Sequence, residues 1–141
     1  HIKHEHRGVH LVKALCQRLG VPNDYRDLAI LVTGQHLLMH RLGELRPETV
    51  LKLLNRLDAY RRPERIKSFV LACEADSRGR GNASKGPYVP AQLLNNYFNA
   101  ARKIDLSDLA DSGLDGTARR HEVGRRRTEA ISAVRANRTA G

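Results

Sequence analysis

The sequence predicts an all-α fold, on three observations. Apolar residues recur three and four positions apart along most of the 141 residues, which is the spacing of one helix face. Proline stands where several of these patterns begin and glycine where the first one ends, as is usual at helix termini. No stretch alternates apolar and polar residues for long enough to indicate a strand. We therefore expect a helical bundle with a core of Leu, Val, Ile and Ala, because aromatic residues make up only 4% of the chain.

Four helices are predicted in the front part of the chain, each with a stripe of apolar residues that faces a core. The first ends at Gly20, a residue type common just after a helix. The second, third and fourth begin at Pro22, Pro47 and Pro63, each followed by an acidic or amide residue typical of a first turn. The stripes are, in chain order, Val9, Val12, Leu15, Cys16 and Leu19; Leu28, Leu31 and Val32; Val50, Leu53, Leu54 and Leu57; and Ile66, Phe69, Val70 and Cys73.

Residues 78–90 (RGRGNASKGPYVP) predict a loop, because they contain three Gly, two Pro and no apolar period. The loop divides the chain into residues 1–85, a four-helix part, and residues 86–141, an Arg-rich tail of two helices. The apolar positions of the tail helices are Leu93, Tyr97, Phe98 and Ala101, then Val123, Ala130, Ile131 and Val134.

The charge balance favours a polyanionic partner. The chain has 25 Lys and Arg against 15 Asp and Glu, a net charge of +10. Arg greatly outnumbers Lys, and its planar fork matches the oxygens of a phosphate group. A basic surface that only keeps the protein in solution is the alternative. We expect a nucleic acid as partner, and the scarcity of aromatic residues argues against base-specific reading of a single strand.

The composition also indicates a cytoplasmic protein. Cys16 and Cys73 lie far apart in the sequence, each on an apolar helical face, so two reduced core thiols are favoured over a disulfide. No run of about 18 apolar residues could span a membrane, and no signal-peptide pattern opens the chain. We expect no membrane partner.

Arginines around the fourth helix are candidate phosphate contacts. Arg61 and Arg62 precede Pro63 at a helix start, where free N–H groups and the positive end of the helix dipole can help to hold an anion. Arg78 and Arg80 are placed in the Gly-rich loop that follows.

A structural role is the alternative for these arginines. Arg61 or Arg65 could pair with Glu74 or Asp76 and so fix the packing of the helices. The alternation of acid and base in EADSRGR favours an internal salt-bridge network for at least some of its members. The sequence leaves both interpretations open.

The tail presents a second basic group. Such a helix face could follow a phosphate backbone without reading bases, with an affinity that falls as salt rises. The alternative is a solvated helix face. The arginines are Arg119, Arg120, Arg125, Arg126, Arg127, Arg135 and Arg138, opposed by Glu122 and Glu129, and we take Arg125, Arg126 and Arg127 as the candidate contacts.

Clustered carboxylates can hold two metal ions for phosphoryl transfer, and four aspartates cluster in the turn region of the tail. They are Asp105, Asp108, Asp111 and Asp115. We expect helix caps and solvated turn residues here, since short polar side chains commonly take these places.

His36 and His40 are candidate metal ligands, because residues four apart share one face of a helix. Two neutral imidazoles at this spacing can bind one divalent ion. Asp58 directly follows Leu57 of the third stripe and could add an oxygen ligand. The alternatives are two surface histidines and a carboxylate that caps the end of a helix.

The order of these residues resembles the later part of an HD-type phosphohydrolase domain. More narrowly, it resembles the C-terminal third of the bacterial multifunctional CCA-adding enzymes, which are tRNA nucleotidyltransferases. The resemblance covers residues 1–90 well and continues more loosely to about 135, and the pair of segments DAYRRPER and EADSRGR is its most specific part. The matching segments are HIKHEHRGV at 1–9, LCQRLGVPNDYRDLAILV at 15–32, HLLMH at 36–40, LRPETVLKLLNRLDAYRRPER at 45–65, LACEADSRGR at 71–80 and EVGRRRTEAI at 122–131.

This resemblance implies both an activity and a ligand set. A head domain of the family adds C, C and A to the 3′ end of tRNA from CTP and ATP with Mg²⁺. The HD domain behind it hydrolyses 2′,3′-cyclic and 2′-phosphates with Ni²⁺ or another transition metal. Carried over by position, the metal ligands fall on His4, His36, His40 and Asp58. The tail is implied to face tRNA, and the rear domains to form a homodimer.

One departure from the family pattern is large, because the sequence contains no His-Asp dipeptide. The family places this dipeptide, and the first His of the set, upstream of His1. A divalent ion needs a sufficiently complete ligand set. We therefore expect a C-terminal fragment that is catalytically inactive by itself and holds no tightly bound cofactor.

Three hypotheses follow. The first is a fragment of a tRNA-maturing enzyme, for which His4, His36 and Asp58 should converge. The second is a non-enzymatic basic helical module that binds nucleic acid, for which they need not. The third is a protein-interaction domain, which requires a large exposed apolar patch.

Overall fold

The structure, a computed structural model, describes residues 2–80 and 86–140, and within these residues it contains helices and turns but no strand. The predicted all-α fold is confirmed. The described α-helices are α1 (Ile2–Leu19), α2 (Asn23–His40), α3 (Pro47–Arg56), α4 (Glu64–Gly79), α5 (Val89–Arg102) and α6 (Gly116–Ala140), with short 3-10 helices at Leu42–Glu44 and Ser107–Leu109.

Helix ends follow the chemistry that the sequence predicts. Gly20 has a φ of 62°, and it ends α1 with two backbone hydrogen bonds. The N–H of Val21 donates to the carbonyl of Cys16 at 3.0 Å, and the N–H of Gly20 donates to that of Gln17 at 3.4 Å. This pattern requires a residue in the left-handed backbone conformation, which glycine adopts without steric cost. Pro47 is the first residue of α3, where its missing N–H has no helical partner.

The loop predicted at residues 78–90 is wrong at both ends. Helix α4 continues past Arg78, and α5 begins at Val89 with Pro90 inside its first turn. Proline is tolerated there because the first N–H groups of a helix are unpaired. Residues 81–85 of that prediction lie outside the described part of the chain.

The core lies between the end of α2 and the middle of α6. Its aliphatic side chains come from every helix except α1, and its largest members are Tyr97 and Phe69. Because residues from both sides of position 85 share this one core, the two predicted parts pack against each other. The buried residues of this core cluster are Met39, Leu42, Leu45, Val50, Leu53, Leu54, Leu57, Ala59, Ile66, Phe69, Val70, Cys73, Leu93, Leu94, Tyr97, Phe98, Ala101 and Ile131.

Helix α1 packs mainly on α2 and leaves much of its apolar stripe uncovered. An added Cβ on Gly8 would lie 2.9 Å from Thr33, so the two helices approach closely there. Leu11, Leu15 and Leu19 remain 71%, 52% and 67% exposed. Leu15 and Leu19 of the first apolar stripe therefore do not face a core formed by the described residues. The exposed row is the kind of feature that the protein-interaction hypothesis requires.

Cys16 and Cys73 are both buried and unpaired, in agreement with the prediction of two reduced thiols. Among the residues that the structure describes, no helix is long and apolar enough to cross a membrane.

Candidate functional site

A polar network joins the end of α2, the last turn of α4 and the residue before α5. His40 stands at its centre with both ring nitrogens engaged. Nε2 lies 2.9 Å from Oδ2 of Asp76, and Nδ1 lies 2.7 Å from the hydroxyl of Tyr88. Since a carboxylate only accepts, Nε2 of His40 carries a proton and donates a hydrogen bond to Asp76. The imidazole is thereby fixed in orientation between two helices.

His36 lies one turn earlier on α2, with its ring 5.9 Å from that of His40. Its Nδ1 lies 2.8 Å from the backbone carbonyl of Val32, which can only accept, so Nδ1 is protonated. Its Nε2 lies 3.3 Å from a guanidinium nitrogen of Arg80, which can only donate. Nε2 therefore presents a lone pair, as a metal-binding histidine does when a carbonyl holds its other nitrogen.

The network also fixes protonation states. Partial burial opposes ionisation of Asp76, but the hydrogen bond from His40 and the charge of Arg80 outweigh it and lower the pKa of this carboxyl. Burial, reinforced by the neighbouring Asp76, raises the pKa of the Cys73 thiol to about 12. Burial, together with nearby anionic groups, raises the pKa of the Tyr88 hydroxyl. At neutral pH the site thus has a carboxylate, a thiol and a phenol.

The four predicted metal ligands do not come together. Within residues 2–80 and 86–140, no group of three or more His, Cys, Asp or Glu side chains is placed to hold one ion. Asp58 follows α3 and lies 3.6 Å from the guanidinium of Arg61, and His4 is exposed on α1. The carboxylate beside His40 is Asp76. The described residues therefore do not fit a divalent ion by themselves, and the lone pair of His36 Nε2 faces the guanidinium of Arg80.

Most of the predicted phosphate contacts are paired with carboxylates. The internal network expected for EADSRGR is present, but the expected partners of Arg61 and Arg65 are wrong. Arg65 lies 3.8 Å from Asp27. The other pairs are Arg61–Asp58 (3.6 Å), Arg78–Glu74 (2.7 Å), Arg80–Asp76 (3.4 Å), Arg125–Glu122 (2.9 Å), Arg125–Glu129 (3.0 Å), Arg126–Asp108 (2.7 Å) and Arg126–Glu122 (2.9 Å).

Two of the predicted phosphate contacts have no ion pair within the described residues. Arg62 is exposed beside a cavity that is also lined by Asp24 and Glu64. Arg127 lies with its guanidinium carbon 3.5 Å from the centre of the Tyr60 ring. Arg127 is therefore the candidate with the less acidic surroundings.

Asp105 and Asp115 of the turn region act as predicted, as a turn residue and a helix cap. Asp105 accepts hydrogen bonds from the backbone and hydroxyl of Ser107, which lower its pKa. Asp115 accepts from the N–H of Ala118 at 2.7 Å and so caps α6. Asp108 pairs with Arg126, and that hydrogen bond lowers the pKa of Asp108.

Two members of the network, Asp76 and Tyr88, were not among the predicted site residues. Asp76 stands four residues before the predicted contact Arg80 in EADSRGR, and this spacing on a helix was the signal that could have found Asp76. Tyr88 stands between two prolines in GPYVP, a segment that was assigned to a loop. No periodic pattern indicates that its hydroxyl reaches His40.

The fold and the network define a basic all-α domain with a paired-histidine polar site and an Arg-rich last helix, consistent with an HD-type helical domain and a tail. Comparison with known proteins then gives a particular group of relatives. A protein of Vibrio vulnificus named Multifunctional CCA protein is 41% identical over 137 residues, 97% of this chain. Proteins with the same name from Nitrosococcus oceani and Thioalkalivibrio sulfidiphilus are 48% and 47% identical over 93% and 96% of it.

The predicted resemblance to the multifunctional CCA proteins is therefore confirmed. The chain spans about a third of the length of these curated relatives, 34%, 32% and 33% in the same order. No family model matches the chain, and no solved structure matches it.

Proposed function

We propose that this chain forms part of a bacterial CCA-adding enzyme, which adds and repairs the 3′-terminal CCA of tRNA. The observation that carries the proposal is the alignment of nearly the whole chain with proteins named Multifunctional CCA protein. The net charge of +10 supports tRNA as the partner. Nucleotidyl transfer, with CTP, ATP and Mg²⁺, is assigned to the part of the relatives that this chain does not span.

The polar network supports a second role, in hydrolysis of 2′,3′-cyclic and 2′-phosphates. The carbonyl of Val32 holds the ring of His36 so that Nε2 presents a lone pair, which lies 3.3 Å from Arg80, and His40 orients Asp76. A bound Ni²⁺ or similar ion would supply a Lewis acid there. Since the described residues do not form a complete ligand group, we expect this chain alone to be inactive. The ligand roles of His4, His40 and Asp58 remain predictions.

Three further features belong to the proposal. The division into an HD-type part, residues 1–85, and a tRNA-facing tail, residues 86–141, is its domain organisation. The compartment is the cytoplasm. The exposed leucine row of α1 supports homodimerisation or another protein contact as an additional role.

A basic helical module that binds nucleic acid without catalysis is the second candidate. Two observations favour this second candidate. Arg127 stacks on Tyr60 and has no ion pair in the described residues, and the predicted metal ligands lie in scattered positions. The two candidates share an RNA partner and differ in whether His36 matters to a reaction.

An exchange experiment separates them. The chain replaces the matching third of the Vibrio vulnificus relative, and both CCA addition to tRNA and hydrolysis of a 2′,3′-cyclic phosphate are measured with added Ni²⁺. We expect both activities in the chimera. His36→Ala should lower the hydrolysis rate at least about tenfold, as loss of a ligand or its support does, and leave CCA addition unchanged.

His121→Ala, at an exposed histidine of α6, is the matched control and should change neither rate. Hydrolysis that survives His36→Ala would favour the non-catalytic module. Hydrolysis by the isolated chain would contradict its expected inactivity.

A further inference from the structure

A small cavity between α3 and the first half of α6 is lined by arginines that form no ion pair within the described residues. It has a volume of about 350 Å³. Arg119, Arg120 and Arg127 line it from α6, and Asn55 lines it from α3 beside Leu51. Arg119 and Arg120 belong to the basic group that the sequence predicts in the tail, but of the three arginines only Arg127 was among the chosen candidate contacts.

The charged residues that line this cavity are all arginines, and no carboxylate is among its lining residues. The guanidinium of Arg120 donates to the hydroxyl of Thr117 at 3.5 Å. Asp115, just before α6, is engaged with the N–H of Ala118. Two other arginine-lined cavities differ, since Asp24 and Glu64 line one and Glu48 and Glu129 line the other.

Arg127 is held in place before any ligand arrives. Its guanidinium lies over the face of Tyr60 at 3.5 Å, and the ring of Tyr60 packs against Phe98 at 5.6 Å. Stacking on a ring leaves the edge of the guanidinium plane for hydrogen bonds. The Nε of Arg127 is buried and has no hydrogen-bond partner in the structure. Little side-chain entropy is then lost when Arg127 binds an anion.

The start of α6 adds to the positive potential. The helix begins at Gly116, so Arg119 and Arg120 belong to its first turns, where the helix dipole favours a negative charge. The amide of Asn55 can donate further hydrogen bonds from the opposite wall. The cavity therefore offers donors on two sides and forked groups that suit tetrahedral oxyanions.

We propose that this cavity binds a phosphate group of an RNA backbone through Arg119, Arg120, Arg127 and Asn55. This inference rests on the proposed function for its RNA partner. It deepens the proposed function because it assigns the phosphate contact to the cavity. Arg125 and Arg126, which were predicted for that contact, are neutralised by glutamate and aspartate side chains.

The test compares two double variants of the full chain. Arg119→Gln/Arg120→Gln removes two charges from the cavity, and Arg7→Gln/Arg18→Gln removes two exposed charges from α1. Binding of tRNA is followed by fluorescence anisotropy over a range of salt. For the cavity variant we expect affinity to fall about tenfold and the slope of log K against log salt to become shallower by about two. The control should stay close to the unmodified chain.

A third variant guards against unfolding. Arg127→Lys keeps the charge but loses the fork, so it should weaken binding with little change in melting temperature. Inorganic phosphate is also titrated alone while the arginine Nε resonances are recorded by NMR. Shifts of Arg119, Arg120 and Arg127 are expected.

The outcomes are distinguishable. Equal losses in the two double variants would mean diffuse attraction, which overturns the cavity and leaves the proposed RNA partner intact. Phosphate-induced shifts without any effect of the cavity variant on tRNA binding would assign the cavity to a free phosphate and overturn the RNA proposal. If no version of the chain binds tRNA, the proposed partner is wrong and this inference fails with it.

Discussion

At the scale of single residues, Asp76 ties the network together. Its carboxylate accepts from His40 and lies 3.4 Å from Nε of Arg80, and its side chain is 31% exposed. A carboxyl whose pKa is lower in the folded than in the unfolded state stabilises the fold where it is ionised. The hydrogen bond from His40 and the charge of Arg80 lower the pKa of Asp76 despite partial burial.

The pH dependence of unfolding should report this carboxylate. The stability that Asp76 contributes is present above its unfolded pKa of about 3.9 and is lost as pH falls through the lowered folded value. Asp76→Asn should therefore reduce the free energy of unfolding at pH 6, and the difference should shrink below about pH 4. Urea denaturation at several pH values measures it. Asp111→Asn, at an exposed turn residue, should show no such pH-dependent difference.

The sequence allowed only part of this site to be predicted. The spacing of His36 and His40 on one helix face is local information, and both proved to be in one network. Asp76 and Tyr88 reach His40 across 36 and 48 residues of chain. Such contacts depend on how α4 and the start of α5 pack on α2, which residue spacing within one helix does not contain.

At the scale of elements, α3 ends on an unusual residue. Asp58 has a φ of 52°, and among the described residues it is the non-glycine residue with a positive φ. Its N–H donates to Asn55 and that of Ala59 donates to Leu54, at 3.0 and 3.1 Å. Gly20 ends α1 with the same pattern. An aspartate where glycine fits better indicates that its side chain has a use, since strained residues concentrate at functional sites.

Two substitutions at this helix end separate backbone strain from side-chain function. Asp58→Gly and Asp58→Ala both remove the carboxylate, but only glycine adopts the left-handed conformation without steric cost. We expect the Ala variant to be less stable than the Gly variant by about 1 kcal/mol. Chemical denaturation measures the difference. Equal stabilities would show that the turn rearranges and that the strain is not present.

The helix boundaries show where sequence patterns succeed and fail. Pro47 and Gly20 act through their own backbones, so their positions predict helix ends directly. The predicted loop placed the end of α4 too early because the last turn of this helix contains glycine. The pairs Arg78–Glu74 and Arg80–Asp76 support that turn.

At the scale of the whole molecule, α6 is part of the core rather than an appendage. Ile131 has no exposed surface, and Val134 packs against the same core cluster. Arg126 reaches the carbonyl of Asp105 and the carboxylate of Asp108. Arg138 donates to the carbonyl of Gly43 at 3.2 Å. Periodicity identified this helix, but it could not show which earlier helices its apolar face contacts.

Truncating a single side chain tests this integration. Ile131→Ala should lower the free energy of unfolding of the whole chain by about 3 kcal/mol, because it removes buried methyl groups and leaves a cavity. Ser132→Ala, at the exposed neighbour, should change it by less than about 0.5 kcal/mol. Both are measured by urea denaturation. A separate early transition confined to the tail would contradict a shared core.

The stacking of Arg127 on Tyr60 also gives the molecule an optical property. The chain contains four tyrosines and no tryptophan, so its ultraviolet emission comes from tyrosine alone. Tyr60 is the tyrosine whose ring face carries a guanidinium, and that guanidinium belongs to the wall of the α3–α6 cavity. A ligand that binds Arg127 and shifts its guanidinium would change the surroundings of the Tyr60 ring. Occupancy of the cavity should thus be visible without any attached dye.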